Sequence, residues 1–364
     1  MKKYLLIICL LASSSLYSQV EIKGMIFDDE SKEPVAGAVV YTGEYRNMTM
    51  SDDSGHFSIN VRMEDTVRFR QLAYDDVSVK AEELIKNANV GLTKNVKELD
   101  EITVTPVNVE YLLNRSFQKL IDNYENENIA YLLKAEPETS AGGEREAYAL
   151  IDVSRSNKKS SRSVNLNTKL MQYDITKSVN TGSFYVKKTP LSIQFIAKSI
   201  GSGTNTKNDS HYELFSRDDE HFIIKSSPAH PDKKRHSYSL YIISRSDTVL
   251  VEYIAQSLSN VDELTMKKIR GISTQITNHY EHYTFAQNEI SGAYFIHSFH
   301  HLASRNIYSA QPYSHLSKIT IFAVEKTDAK QLKGKTISPV DREIFQSKLP
   351  PTPGFWKKYI NEIP

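Results

Sequence analysis

Histidine is the residue type in this sequence that most readily supports chemistry, and it is concentrated in one part of the chain. Ten of the eleven histidines follow residue 210. Alternation along a strand would place His279 and Glu281 of the segment HYEHY on one face, and His297 and His301 of the segment HSFHH on one face. If the two strands pair through a turn near residues 288–292, these four side chains approach one another. Imidazoles with a carboxylate suit zinc, so His279, Glu281, His297 and His301 are candidate metal ligands.

Histidine is also common on the solvent-exposed face of a sheet, without any role in chemistry. The usual motifs of catalysis are absent from the sequence. There is no HExxH, and no histidine is followed by glutamate three residues later. The G-x-S-x-G elbow, the P-loop and the Rossmann glycine pattern are also missing. The segment SNKK at 156–159 fits S-x-x-K only formally, because it lies in a charged loop. The sequence therefore assigns no catalytic residue and no cofactor.

A second candidate for chemistry is TMSDDSGHFSINV at residues 49–61, in which two aspartates precede a glycine. An EF-hand calcium loop with Gly55 in its sixth position would begin at Met50 and end at Val61, and neither can bind calcium. The adjacent aspartates would point to opposite sides of an extended chain, so they form no close acid pair. The segment therefore predicts a turn in which Gly55 takes a positive φ.

The beginning of the chain has the three-part plan of a secretory signal peptide. Lys2 and Lys3 precede a short apolar run, and small polar residues follow as far as Ser18. We expect residues 1–18 to be removed and the mature protein to be secreted across the inner membrane, to the periplasm or the outer membrane. Cys9 lies inside the apolar run, where a lipidated cysteine is not expected. The mature chain then has no cysteine, and hence no disulfide and no thiol nucleophile.

Charge and hydropathy narrow the range of partners. Loss of two lysines leaves 43 basic against 44 acidic residues in the mature chain, a formal charge of −1. This near-neutral balance favours neither nucleic acid nor an anionic membrane surface as a partner. No later apolar run reaches 18 residues, so no transmembrane helix is expected after signal removal. The length of 364 residues suggests about two domains, and the 21 tyrosines suit half-exposed strands.

Residues 20–105 read as short strands separated by turns, which predicts a small β-sandwich. In the segment DTVRFRQLAY, Val67 and Phe69 should point inward and Arg68 outward. Four stretches of this region resemble the carboxypeptidase-regulatory-like domain, a module of many Gram-negative envelope proteins. The family pattern runs G-x-V-x-D, P-x-x-G-A-x-V, T-D-x-x-G-x-F and a segment ending in Gly-Tyr. The residues that match the first three elements are Gly24, Ile26, Asp28, Pro34, Gly37, Ala38, Val40, Ser51, Asp52, Gly55 and Phe57, with serine at 51 in place of threonine. Leu99, Glu101, Ile102 and Val104 resemble the segment that usually closes the module.

The resemblance implies a transthyretin-like Greek-key sandwich over residues 19–105. It implies no activity, because such modules are not themselves peptidases. Ala73 stands where the family has the glycine before Tyr74, so that turn departs from the pattern.

After residue 105 the pattern first becomes helical and then returns to alternation. Apolar residues at helical spacing predict a helix over residues 109–125 with Asn108 as its N-cap, inside a helical linker at 106–130. Residues 131–335 are expected to form a larger antiparallel β-rich domain with one or two helices. The fold class is therefore mainly β.

The C-terminal segment, residues 336–364, is predicted to be an extended tail with an aromatic anchor formed by Phe355, Trp356 and Tyr359. These three residues match the closing Phe-Trp-x-x-Tyr of envelope proteins of unknown function that carry the same module. The anchor would either pack on the second domain or dock a partner. Two basic loops, around Arg155 and Lys233, are interpreted mainly as solvated turns.

Three functions remain open at this point. The first is a non-enzymatic secreted envelope protein that binds an outer-membrane protein, lipid or glycan. The second is a metal-dependent or other hydrolase centred on the histidine strands, and the third is a periplasmic lipid or lipoprotein carrier. An open, curved sheet clasping a helix, loosely like periplasmic lipoprotein carriers, would fit the pattern. The sequence does not indicate the oligomeric state.

Overall fold

The computed structural model describes residues 20–42, 47–71, 74–94, 108–126, 128–136, 138–139, 146–155, 166–177, 210–217, 220–228, 235–259, 267–269, 272–308, 311–326, 335–337 and 350–360. The chain divides into two compact units, with the division between residues 101 and 102. The expected signal peptide lies outside the described residues, as do Lys233 and residues 156–159. Within the ranges that are described, no helix is both long enough and apolar enough to cross a membrane.

The N-terminal unit is a sandwich of two small sheets. One sheet has the order β4-β1-β7 and the other β3-β2-β5-β6, and all pairs are antiparallel except β1 with β7. The strands are β1 (Val20–Asp28), β2 (Val39–Thr42), β3 (Asn47–Met50), β4 (His56–Val61), β5 (Thr66–Arg70), β6 (Val77–Lys80) and β7 (Asn89–Leu92). A short helix, α1 (Ala81–Lys86), follows β6. This helix is not predictable from the sequence, because a six-residue segment with only Ala81 and Leu84 buried carries little periodic signal.

Alternating side chains build the core of this sandwich as predicted. In β4 the buried residues are Phe57, Ile59 and Val61, and in β5 they are Val67 and Phe69. The ring of Phe57 meets that of Phe69 edge-on, with centroids 5.5 Å apart, and so joins the two sheets.

The turn before β4 is the one that the sequence predicts. Gly55 has a φ of +75°. The Asp52 carboxylate accepts hydrogen bonds from the backbone N–H groups of Ser54 and His56 at 2.9 and 2.8 Å. Asp52 therefore has a local structural role, as aspartates in turns commonly do.

Asp28, at the end of β1, is the centre of a buried polar network. Its side chain accepts hydrogen bonds from the Tyr74 hydroxyl at 3.0 Å and the backbone N–H groups of Glu30 and Ser31 at 2.9 and 2.8 Å. The Lys94 ammonium lies 2.9 Å from the same carboxylate. Lys94 and these hydrogen bonds hold the pKa of Asp28 well below its usual range, against the opposing effect of burial.

This network predicts a specific dependence of stability on pH. Because the pKa of Asp28 is lower in the folded unit, its ionisation contributes stability above the unfolded pKa of about 3.8, and that stability is lost as the pH falls further. The difference in unfolding free energy between wild type and Asp28→Asn should therefore be largest at neutral pH and shrink below about pH 4. Urea denaturation across this range measures it, with the exposed Asp29→Asn as the matched control. A difference that is constant with pH would contradict the assignment.

The C-terminal unit is built on one large antiparallel sheet, which has thirteen strands among the described residues. Its central path runs β12-β13-β14-β15-β17-β18-β19-β8-β10-β11-β20, with β16 beside β17 and β9 beside β19. The first strands are β8 (Ile129–Ala135), β9 (Glu138–Thr139), β10 (Glu146–Arg155), β11 (Leu166–Lys177), β12 (Ser210–Arg217), β13 (His221–Pro228) and β14 (Arg235–Ser244). The remaining strands are β15 (Leu250–Ser259), β16 (Lys267–Ile269), β17 (Ile272–Gln287), β18 (Tyr294–Tyr308), β19 (Tyr313–Lys326) and β20 (Lys335–Ile337).

Two helices are described in this unit, α2 (Val109–Asp122) and α3 (Lys357–Ile360). Helix α2 is the one predicted over residues 109–125, and the Asn108 side chain accepts from the backbone N–H of Tyr111 at 2.9 Å as its N-cap. Its apolar face, including Leu113 and Phe117, lies in the main core of the sheet. The helix of the predicted linker is thus part of the core of the C-terminal unit.

Candidate functional site

The candidate site lies on one face of the C-terminal sheet, the face that packs against α2. We call it the helix-side face and define it by the buried rings of Tyr241, Tyr253, Tyr283 and Phe299. Strands β17 and β18 form a hairpin closed by Gly292 with a φ of +69°. This confirms the pairing that the sequence analysis required.

The hairpin brings three of the four candidate ligands together on the helix-side face. Glu281 pairs with His301 across the hairpin, and His279 lies two residues before Glu281 on the same strand. The Glu281 Oε1 atom is 3.3 Å from His279 Nε2 and 3.6 Å from His301 Nδ1. The imidazole rings have centroids 5.1 Å apart and stand edge-to-face. We call these three residues the His–Glu–His cluster.

The structure does not bring His297 into this cluster. The register shifts between Thr284 and Phe285, which pair with Ser298 and Ile296, so that His297 has no partner residue on β17. His297 and His301 are also four positions apart, which corresponds to about 13 Å along an extended strand. A β-bulge of this kind leaves no clear trace in the sequence pattern.

The environment of the cluster favours an ionised Glu281 carboxylate and a neutral His301 imidazole. Burial raises the pKa of Glu281, but the contacts with His279 and His301 together outweigh it and lower the pKa to about 2. Burial lowers the pKa of His301, and Glu281 only partly opposes this. The side chains of His279, Glu281 and His301 retain 36%, 24% and 15% of their exposure, so the cluster is accessible to small solutes.

Around the cluster, the helix-side face changes from large to small side chains. The aromatic rings of Tyr212, Tyr241, Tyr253, Tyr283 and Phe299 form a continuous row across the strands, with successive centroids 4.4 to 6.5 Å apart. Farther along the same strands the residues on this face are small: Ser237, Ser239, Ala255, Ser257, Ala303 and Ser317. The Ser237 hydroxyl donates to Ser257 Oγ at 3.1 Å, which places these two side chains on one face.

Helix α2 is too short to cover the whole helix-side face. Its 14 residues extend about 21 Å, whereas the 16 residues of β17 extend about 53 Å. The aromatic row lies in the core that includes α2. Ala255 packs against this core, and Ile319, which pairs with His301, belongs to it, so the His–Glu–His cluster and the serines lie at its margin.

The opposite face of the sheet holds a second histidine pair, which is deeply buried. His282 Nε2 lies 2.6 Å from a carboxylate oxygen of Glu252, and His300 Nε2 lies 3.2 Å from Ser298 Oγ. His282 and His300 are 3% and 1% exposed. Burial lowers the pKa of His300 well below its usual value, so this ring is neutral. Sequence reasoning missed Glu252, because its pairing with His282 depends on the register between β15 and β17.

The aromatic residues of the tail pack within the C-terminal unit. Trp356 stacks on Tyr148 with centroids 4.3 Å apart, and its indole N–H donates to Asp174 at 2.9 Å. Tyr359 is buried, and Phe355 packs against the same cluster. Residues 357–360 are helical where an extended tail was predicted. The packing role considered for the tail is thus what the structure shows, and a docking role for the same residues stays a prediction.

One family model and several solved structures are similar to parts of this chain. Residues 22–104 match the CarboxypepD_reg-like domain, so the N-terminal unit is a domain of this kind, as its sequence motifs implied. No curated protein matches the chain.

The solved structures show only distant similarity. They include lipovitellin, in a study of its lipid–protein interactions, at 8% identity and a TM-score of 0.27 over 58% of this chain and 27% of that chain. An S-type phycobiliprotein lyase from Guillardia theta has 8% identity and a TM-score of 0.22, over 61% of this chain and 100% of the lyase. A LolA superfamily protein from Nitrosomonas europaea has 11% identity and a TM-score of 0.21, over 63% and 98%. This chain thus spans about a quarter of lipovitellin, and TM-scores this low support no functional inference.

Proposed function

We propose that this protein is a non-enzymatic, secreted binding protein of the cell envelope whose C-terminal sheet holds an amphipathic, lipid-like ligand. One observation carries the proposal: the helix-side face continues far beyond α2, and there it carries small side chains next to a core of aromatic rings. A CarboxypepD_reg-like domain at residues 22–104 is compatible with this role, because the resemblance implies a fold and no activity.

The contacts at the edge of the core support an amphipathic ligand. Two partly buried apolar side chains that pack against the main core, Tyr212 and Ala255, lie at the end of it nearest the serines. Beyond them, the serines offer hydroxyl groups and the His–Glu–His cluster offers ionisable groups. An apolar chain would therefore lie against the aromatic margin, and a polar headgroup would lie near the serines and histidines.

Secretion is inferred from the beginning of the chain alone. Two lysines, an apolar run and small polar residues up to Ser18 support export. An outer-membrane protein or a glycan would be an alternative partner of the same binding protein. A metal-dependent hydrolase is a second candidate, favoured by the proximity of His279, Glu281 and His301.

The proposal is tested by filling the space above the small residues. Ala255→Trp and Ser257→Trp each add a large ring to the helix-side face of β15, and we expect at least about 10-fold weaker binding of a fluorescent phospholipid to the purified protein. Ile290→Trp adds the same ring at the β17–β18 turn, where Ile290 is 92% exposed, and should bind like wild type. Far-UV circular dichroism checks that each variant is folded.

Mass spectrometry of lipids and proteins that co-purify from the protein's own envelope completes the test. Lipid recovered with wild type and with Ile290→Trp, but not with the two β15 variants, supports the proposal. Equal lipid binding by all four proteins places the ligand elsewhere. A wild-type protein that binds no phospholipid and purifies with an equal amount of one membrane protein, or with glycan, would overturn the lipid assignment.

A further inference from the structure

We propose that His279, Glu281 and His301 form a binding site for a divalent transition-metal ion, with Zn²⁺ as the ion that the ligand set fits. This inference goes beyond the proposed function, because the metal would bind whether or not an organic ligand is present. It depends on the geometry of the His–Glu–His cluster and on the way in which the sheet supports it.

The distances between the side-chain atoms match those of a tetrahedral zinc site. With zinc–ligand bonds of about 2.0–2.1 Å, two ligand atoms of a tetrahedron lie about 3.3–3.4 Å apart. Glu281 Oε1 is 3.3 Å from His279 Nε2 and 3.6 Å from His301 Nδ1. All three ligand atoms lie within 4.8 Å of one another. A small rotation of one imidazole therefore completes the triangle without moving the backbone.

The residue types also fit zinc better than the alternatives. Two imidazoles and one carboxylate form one of the sets that zinc takes when three ligands come from the protein and one position stays open. Calcium and magnesium prefer sites made of oxygen atoms alone, so two nitrogen ligands select against them. Two neutral imidazoles and a carboxylate leave a bound Zn²⁺ with one net positive charge. The open position would thus favour water or an anionic group.

The sheet holds the three side chains in place. His279 and Glu281 lie on β17, which is paired on both sides, with β15 and with β18. His301 faces Glu281 directly, and its ring stacks on Phe299 with centroids 6.3 Å apart and an angle of 21°. A site on central strands costs little ordering entropy when the metal binds. The remaining exposure of all three side chains gives the ion a route of entry.

The test uses the full-length mature protein, freed of its tag and treated with chelator, and Zn²⁺ alone as the probe. Isothermal titration calorimetry at pH 7 should show one site with a Kd in or below the micromolar range. His279→Ala, Glu281→Gln and His301→Ala should each weaken binding at least about 10-fold. His297→Ala is the matched control, since it removes a histidine of β18, the strand of His301, that lies outside the cluster. This variant should bind Zn²⁺ like wild type.

A second measurement distinguishes a preformed metal site from a chance proximity of the three side chains. Co²⁺ in the wild-type protein should give the visible absorption of a tetrahedral ion, and His279→Ala should abolish it. If His301→Ala does not fold, the more exposed His279→Ala and Glu281→Gln decide the result. If wild-type protein binds no Zn²⁺ at about 100 μM, the three side chains of the cluster interact only with one another and do not form a metal site. Loss of binding in His297→Ala equal to that in His279→Ala would also overturn the proposal.

Discussion

Gly55→Val is expected to unfold the N-terminal unit at temperatures at which the wild type is fully folded. Gly55 has a φ of +75°, a conformation that a β-branched residue rarely adopts. A Cβ atom at this position would lie 2.4 Å from the backbone oxygen of Ile26 and 3.1 Å from Pro34 Cβ. The backbone cannot move aside easily, because the N–H of Ile26 donates to Gly55 O at 2.8 Å. The backbone strain and the steric overlap together should lower the free energy of unfolding of the N-terminal unit by about 3–5 kcal/mol.

The two units can be followed separately in this experiment. The single tryptophan is Trp356, in the C-terminal unit, so its fluorescence reports on that unit alone. Hydrogen exchange detected by mass spectrometry reports on the peptides of β1 and β4. We expect fast exchange in these peptides and an unchanged fluorescence transition.

Two control variants isolate the cause. Ser54→Ala changes an exposed side chain in the same turn and should alter stability by no more than about 0.5 kcal/mol. Gly292→Val introduces a similar φ strain, but its Cβ would meet nothing closer than 3.7 Å, so it should cost only about 1–2 kcal/mol. Wild-type exchange rates in Gly55→Val would mean that the turn and its close approach to β1 are misplaced.

Trp356→Ala is expected to release the tail from the C-terminal sheet and to destabilise that unit by about 2–4 kcal/mol. The substitution removes the ring that stacks on Tyr148 at 4.3 Å and the indole N–H that donates to Asp174. Asp174 is 8% exposed and would keep the backbone N–H of Gly354 as a donor. Trp356→Phe keeps an aromatic ring and loses the hydrogen bond, so we expect it to lower the free energy of unfolding by about 1 kcal/mol relative to wild type.

Urea denaturation followed by far-UV circular dichroism measures the change, since the variant has no tryptophan. Ile290→Ala, which removes a side chain that is 92% exposed, is the control for loss of apolar surface and should match wild type. If Trp356→Ala is as stable as wild type, the tail is not held by this residue. The aromatic side chains would then be available to a partner, which is the docking role that stays a prediction.

Local features of this protein follow from its sequence because they depend on neighbouring residues. The spacing of Phe57, Ile59 and Val61 predicts a strand with one buried face, and the structure has it. Gly55 in a run of turn residues predicts the positive φ, and Asn108 before a helical pattern predicts the N-cap. These features need only the two periodicities of helix and strand and the chemistry of turns.

The candidate site was only partly predictable. Alternation places His279 and Glu281 on one face of a strand, and the turn after residue 287 indicates the hairpin that adds His301. Alternation also favoured His297, but it lies four positions along β18 from His301, and the β-bulge leaves it without a partner residue on β17. A bulge depends on how two strands pair, and one strand's sequence does not contain that information.

Only the tertiary structure decides the contacts between residues that are distant in the chain. The carboxylate of Asp28 meets Lys94 and Tyr74, and Glu252 meets His282, through pairings of strands that no local pattern specifies. The pairing of β8 with β19 likewise brings the first strand of the C-terminal unit beside its last long strand, which no local pattern predicts. The sequence therefore determined most of the strands, the long helix α2 and their buried faces, which depend on local periodicity. The tertiary structure decided which charged side chains meet, because that depends on register and on strand order.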